Sequence, residues 1–157
     1  MPFEIVRGDI TNMRVDAVVN AANTALQQGG GVCGAIFKAA GARELQQACD
    51  AISHVETGRA AITPGFGLRA KHIIHTAGPV WRGGGQGEEA QLKSCYQTSL
   101  RLARENGCKS VAFPLISSGI YGYPKEQALR AASEAIRAYL DTDDADEEMT
   151  VYLCVFE

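Results

Sequence analysis

The stretch Ala17-Val18-Val19-Asn20-Ala21-Ala22-Asn23-Thr24-Ala25-Leu26-Gln27-Gln28-Gly29-Gly30-Gly31-Val32-Cys33-Gly34 decides between two open-sheet α/β folds. Its first four residues read as a short apolar strand. Val32 to Ala40, closed by Gly41, reads as a helix that opens on glycines. Gly29, Gly31 and Gly34 formally satisfy G-x-G-x-x-G, the phosphate-binding fingerprint of a nicotinamide-dinucleotide domain. That fingerprint turns tightly out of the first strand and is followed, about 20 residues on, by an acidic residue at a strand end. Here Ala21 to Gln28 intervene after Asn20, and no such acidic residue follows. The dinucleotide-binding reading is therefore set aside.

Outward from this stretch, short apolar runs alternate with longer segments of helical period, the pattern of an α/β sheet covered on both faces. The expected strands are Phe3-Val6, Ala17-Asn20, Ala60-Thr63, Ile73-Thr76, Ser110-Phe113 and Val151-Phe156. Arg43 to Ile52 reads as a second helix. From Glu88 to Asn106, Leu92, Cys95, Tyr96, Leu100 and Ala103 share one face, and Gly107 supplies the stop. Ala128, Leu129, Ala132, Ile136, Tyr139 and Leu140 mark the last helix, with Pro124 suited to its first turn. The acidic run Asp141 to Glu148 reads as a solvated connection. No repeat or second-domain linker interrupts the 157 residues, so residues 1–157 are expected to form one domain.

Charge and cysteine usage narrow the function. Eighteen acidic against fifteen basic residues give a net charge of -3, with no lysine or arginine cluster along the chain. Nucleic acid is an unexpected partner, since phosphate-backbone binding normally needs such a cluster. Five cysteines without a C-x-x-C pair disfavour a disulfide framework or a structural zinc site, and read as small core residues. No stretch approaches the ~18 apolar residues of a membrane span, and no leader is evident at the N-terminus. A cytoplasmic monomer without metal or cofactor is expected.

The candidate cleft is written in two glycine-rich loops, Gly29-Gly30-Gly31-Val32-Cys33-Gly34 and Ser117-Ser118-Gly119-Ile120-Tyr121-Gly122, each beyond a predicted strand. Ligands of open α/β sheets bind at the carboxyl ends of strands, and glycine lets backbone N–H groups approach a phosphate closely. Two such loops facing each other would enclose a diphosphate; alone, either could serve only a tight turn. Asp9, after the first strand, could accept from an exocyclic amine or simply cap its turn. Asn20 and Asn23 offer donors and acceptors suited to ribose hydroxyls, or to loop backbone.

The ordered series Gly8-Asp9-Ile10-Thr11, Val18-Val19-Asn20-Ala21-Ala22-Asn23, Gly29-Gly30-Gly31-Val32 with Gly34-Ala35-Ile36, Ile74-His75-Thr76-Ala77-Gly78-Pro79-Val80-Trp81 and Phe113-Pro114-Leu115-Ile116-Ser117-Ser118-Gly119-Ile120-Tyr121-Gly122-Tyr123-Pro124 resembles the macrodomain family nearly end to end. The resemblance implies a three-layer α/β/α sandwich with a mixed, mostly parallel sheet. It also implies ADP-ribose, free or on a protein, lying across the strand ends. Asp9 would bind the adenine amine beside Ile10, with Phe156 flanking the ring. The diphosphate would lie between Gly30-Gly31-Val32-Cys33 and the Ser117–Gly122 loop. Asn23 would address the distal ribose, Asn20 would support its loop from behind, and Tyr121 would close over the sugar. The three histidines would be structural or surface residues.

Some macrodomains hydrolyse ADP-ribosyl esters, including O-acetyl-ADP-ribose, whereas others only bind. In the hydrolytic branch this chain most resembles, the Cys33 position usually holds aspartate and the Phe37 position histidine; both departures are expected beside the diphosphate loop. The expectation is an ester hydrolase positioned by Asn23, Gly31 and Tyr121, with a non-catalytic reader as the alternative. Many relatives carry a further helix beyond Phe156. Without it, part of the sheet is expected to expose apolar surface.

Overall fold

The computed structural model describes residues 2–142 and 149–155. Phe156, expected to flank the adenine, and most of the acidic run lie outside the described residues. A six-stranded sheet runs in the order β1-β6-β5-β2-β4-β3. Its strands are β1 (Phe3–Arg7), β2 (Ala17–Ala22), β3 (Ala60–Pro64), β4 (His72–Ala77), β5 (Ser110–Pro114) and β6 (Thr150–Val155). All neighbours pair parallel except β3, which returns on β4 as an antiparallel edge.

Side-chain alternation along the strands divides the core in two. Ala17, Val19, Ile74, Val111, Phe113, Val151 and Leu153 face the helices α3 (Glu88–Glu105) and α4 (Lys125–Leu140). Val18, Ala22, Ile73, Ala77, Ala112 and Cys154 face α1 (Gly31–Ala40) and α2 (Ala42–Ile52). Each helix buries one stripe: Cys33, Ile36, Phe37 and Ala40 in α1, and Leu92, Cys95, Tyr96, Leu100 and Ala103 in α3. This is the expected three-layer sandwich. At the sheet edge Ile5 of β1 is about half exposed, at 48%.

The segmentation agrees with the sequence reading, and the differences are local. Asp9-Ile10-Thr11-Asn12 forms a 3-10 turn that periodicity did not reveal, because three residues are too few to show a period. Pro124 stands at the N-cap of α4, one residue before its first turn. All five cysteines are free and buried.

The fold also places the cleft. The chain leaving β2 enters α1 on one face, and the chain leaving β5 enters α4 on the other. β2 and β5 are neighbours, so their exit loops diverge and open a crevice between them.

Candidate functional site

That crevice holds a cavity of about 380 Å³ lined by residues 29–33 and 117–121 of the two glycine loops together with Ala21, Ala22, Asn23, Gly78, Pro114, Leu115 and Ile116; Gly122, expected to bind ligand, does not line it. The volume suits a small-molecule ligand. Among the described residues, no charged side chain lines it. Any anion held here is therefore held by backbone dipoles and neutral groups.

On the first wall, Gly30 is the N-cap of α1 and brings no side-chain hydrogen bond to the helix end. The first bond of the turn runs from Gly34 N–H to the Gly30 carbonyl, so the N–H groups of Gly31, Val32 and Cys33 open on the cavity without a partner among the described residues. Gly31 sits at φ +58, in the left-handed region. A Cβ on Gly34 would lie 2.6 Å from the Gly29 carbonyl oxygen, so only glycine lets the loop fold this tightly onto its helix.

The second wall closes on itself. Gly122 N–H donates to the Gly119 carbonyl at 2.9 Å, and Tyr123 N–H to the Ser117 carbonyl at 2.9 Å. The Ser118 hydroxyl donates to the Leu115 carbonyl at 2.8 Å, so it stitches the turn. Among the described residues, the N–H groups of Gly119, Ile120 and Tyr121 have no partner. Ser117 carries φ +68, and its buried hydroxyl oxygen has no hydrogen-bond partner although it lines the cavity. Strained backbone and an unpaired buried hydroxyl thus coincide on the cavity wall. A position built for Cβ on Gly30 lies 3.8 Å from the Ile120 side chain, which shows how closely the two walls face each other.

Sequence reasoning missed what holds the second wall. Trp81 N–H donates to the Tyr121 carbonyl at 2.8 Å, and the Trp81 ring packs on Tyr123 with centroids 4.6 Å apart. Behind Trp81, the Glu88 carboxylate accepts from the N–H groups of Arg82, Gly84 and Gln86 at 2.8, 3.0 and 2.7 Å. Burial alone would raise the Glu88 pKa, but these backbone donors hold it down at about 2. A glutamate at a helix start reads as an ordinary first-turn acid, so its role as a loop anchor left no signal. Gly78 also lies against this wall: a Cβ there would overlap the Ser117 hydroxyl.

Among the individual expectations, Asn23 lines the cavity and also locks its own loop. Its Nδ2 donates to the Gln27 carbonyl at 2.9 Å, and its Oδ1 accepts from the Gln27 N–H at 3.0 Å. One amide hydrogen and one lone pair remain for a ligand. Asp9 is exposed and caps its turn, accepting from Thr11 N–H at 2.9 Å and from the Thr11 hydroxyl at 2.7 Å. Among the described residues its second oxygen has only a 3.4 Å contact from Asn12 and keeps acceptor capacity. Ile10 is buried beneath it. Neither lines the cavity.

Two placements correct the sequence reading. Asn20, expected behind the loop, lies inside the sheet at 1% exposure. Its Nδ2 donates to Nδ1 of His75, its neighbour in the β2–β4 register, at 3.0 Å. Even-numbered β2 residues face α1 and α2, so this side chain cannot turn toward the strand end. Phe37, expected beside the diphosphate loop, is buried on the inner stripe of α1 at 1% exposure. Only Cys33, 7% exposed, brings its departure from the family pattern to the cavity wall. None of the three histidines lines the cavity.

Comparison with known proteins places this geometry. A family model described as Macro domain matches residues 19–132. A protein named O-acetyl-ADP-ribose deacetylase from Salmonella gallinarum is 46% identical over 159 residues, covering 99% of this chain and 88% of its own length. Among solved structures, the Oceanobacillus iheyensis macrodomain with ADP is 40% identical, with a TM-score of 0.92 over 99% of this chain and 83% of that one. The Trypanosoma brucei macrodomain in complex with ADP-ribose is 35% identical, with a TM-score of 0.87 over 99% of this chain and 63% of that one.

Proposed function

The chain belongs to the Macro domain family, and on that footing we propose that its cleft binds ADP-ribose and hydrolyses ADP-ribosyl esters. One observation carries the binding: two facing rows of unpaired backbone N–H groups, at Gly31–Cys33 and Gly119–Tyr121, in a cavity without charged side chains. Such a site suits a diphosphate, whose charge the α1 N-terminus favours. The flanking wall groups, Asn23 and the Ser117 hydroxyl, suit sugar hydroxyls. The named activity of the Salmonella relative supports hydrolysis.

Among the described residues, the lining holds no carboxylate and no imidazole. The proposed reaction therefore draws its base from the substrate. A water held near Asn23, the Gly31 wall and Tyr121 attacks the anomeric carbon of the distal ribose. The carbon–oxygen bond to the acyl group breaks, the carboxylate leaves, and a diphosphate oxygen takes the water proton before passing it to solvent. Positioned acid–base groups normally contribute roughly 10²–10⁴-fold, so their absence makes this a slow hydrolase.

Release of free ADP-ribose from a glutamate-linked mono-ADP-ribosylated protein tests the proposal. Asn23→Ala should lower turnover at least about tenfold, through lost positioning, and Cys33→Asp should raise it by roughly ten- to a hundredfold. A second reading, a non-catalytic reader, is favoured by the missing carboxylate alone. It predicts saturable binding without product in the native chain, and product only in Cys33→Asp. Unchanged turnover and unchanged binding in Asn23→Ala would overturn the assigned roles.

A further inference from the structure

Four consecutive backbone groups between Asn23 and the glycine wall are held by side chains rather than by other backbone. Asn23 holds Gln27 from within the loop. Gln46, one turn into α2, holds the residues on either side: its Nε2 donates to the Leu26 carbonyl at 2.9 Å, and its Oε1 accepts from Gln28 N–H at 2.9 Å. Asp50, one turn further along the same helix, accepts from Gln46 Nε2 at 2.9 Å and from the Gln27 side chain at 3.4 Å. Leu26 is locked at φ +55, a conformation that costs a non-glycine residue and persists only where its surroundings hold it. Immediately downstream, a Cβ position on Gly29 lies 3.8 Å from Asn23 Nδ2 and 4.0 Å from the Cys33 sulfur. The loop thus presents Asn23, Gly29 and Cys33 as one end of the cavity, and α2 sets its position.

We propose that Gln46, oriented by Asp50, is a positioning residue for that end of the cleft, and that it selects for ligands that carry a group beyond the diphosphate. It does not line the cavity itself; it acts by fixing Leu26 and Gln28 on either side of Gln27, and through Gln27 the Asn23 amide. The inference rests on the ADP-ribose reading above, in which the terminal sugar lies against Asn23. Its consequence is a split between two ligands. ADP-ribose reaches this end, whereas ADP has the same diphosphate and no second sugar. Disturbing Gln46 should therefore weaken the first and spare the second. A purely structural contribution to stability would act on both alike.

The test is titration calorimetry of the whole chain with ADP-ribose and with ADP. Gln46→Leu keeps the side-chain volume and removes all three hydrogen bonds. It should raise the ADP-ribose Kd roughly tenfold while moving the ADP Kd by less than about twofold. Asp50→Ala, which releases Gln46 from a surface position, should shift the same ratio in the same direction by a smaller factor. It also serves as the deciding variant if Gln46→Leu does not fold. Equal losses for both ligands, or no loss for either, would overturn the inference while leaving ADP-ribose binding intact. Failure of the native chain to bind either ligand would instead overturn the binding proposal, and this inference with it.

Discussion

His75 shows how one buried side chain ties the sheet to pH. Its ring has no exposure, and burial lowers its pKa to about 4. With the Asn20 amide oriented so that Nδ2 faces His75 Nδ1, Nδ1 accepts and the proton sits on Nε2, which donates to the Thr63 hydroxyl at 3.0 Å. That hydroxyl in turn donates to the Pro64 carbonyl at 3.1 Å. Protonating Nδ1 would set N–H against N–H and leave a charge in the core. The unfolded chain takes up this proton near pH 6.5 and the folded chain only near 4, so the contribution is complete above about 6.5 and is lost as pH falls toward 4. Between pH 7.5 and 5 the linkage amounts to roughly 2 kcal/mol. Urea unfolding at the two pH values should show this loss in the native chain and a much smaller one in His75→Gln. Equal slopes in both would mean that other groups control the acid limb. Asn20 teaches the complementary lesson. A strand asparagine beside two alanines is equally consistent with a ligand and with a buried partner, and only the β2–β4 register, which is not written locally, brings it to His75.

At the scale of elements, helix α1 and the loop that feeds it illustrate how function overrides local propensity. Alanine is a better helix former than glycine by roughly 1 kcal/mol, so Gly34→Ala should stabilise a helix interior. Here the added Cβ would meet the Gly29 carbonyl oxygen at 2.6 Å, and the backbone there cannot swing aside as a side-chain tip would. The Gly29-Gly30-Gly31 wall must move instead, which displaces the N–H groups that open on the cavity. Gly34→Ala should therefore lose ADP-ribose affinity by at least about tenfold while its thermal midpoint changes little or falls. A gain in both would show that the wall relaxes freely. The elements themselves were largely legible. Each helix buries a continuous stripe and ends at a glycine or capping turn, and each strand is a short apolar run, so periodicity sufficed. What escaped were contacts between elements: Glu88 gripping the 82–86 loop, and Gln46 of α2 gripping Leu26 and Gln28. A polar residue on an amphipathic helix reads as solvated whether or not a distant loop folds back onto it.

For the whole molecule, the cleft was legible because topology and composition pointed to the same place. The glycines cluster where β2 and β5 exit, and the sheet order makes those strands neighbours whose helices pack on opposite faces. Among the described residues, the N–H groups of both walls lack a protein partner, and so does the buried Ser117 hydroxyl. A buried hydroxyl such as that of Ser117 carries its desolvation cost until a ligand pairs it. Ligand binding should therefore stabilise the native state by the full linkage term and leave the unfolded chain untouched. At a free ADP-ribose concentration about a hundred times Kd the gain is roughly 2.7 kcal/mol. For a domain of this size each kcal/mol raises the midpoint by roughly 2–4 °C, so saturation should raise Tm by about 5–11 °C. Scanning calorimetry across a concentration series should show the midpoint climbing with the logarithm of ligand concentration, with ribose 5-phosphate, which lacks a diphosphate, producing little shift. A flat midpoint with ADP-ribose would mean that the facing N–H rows do not receive a diphosphate, and the cleft would need another ligand to account for its strained and unpaired groups.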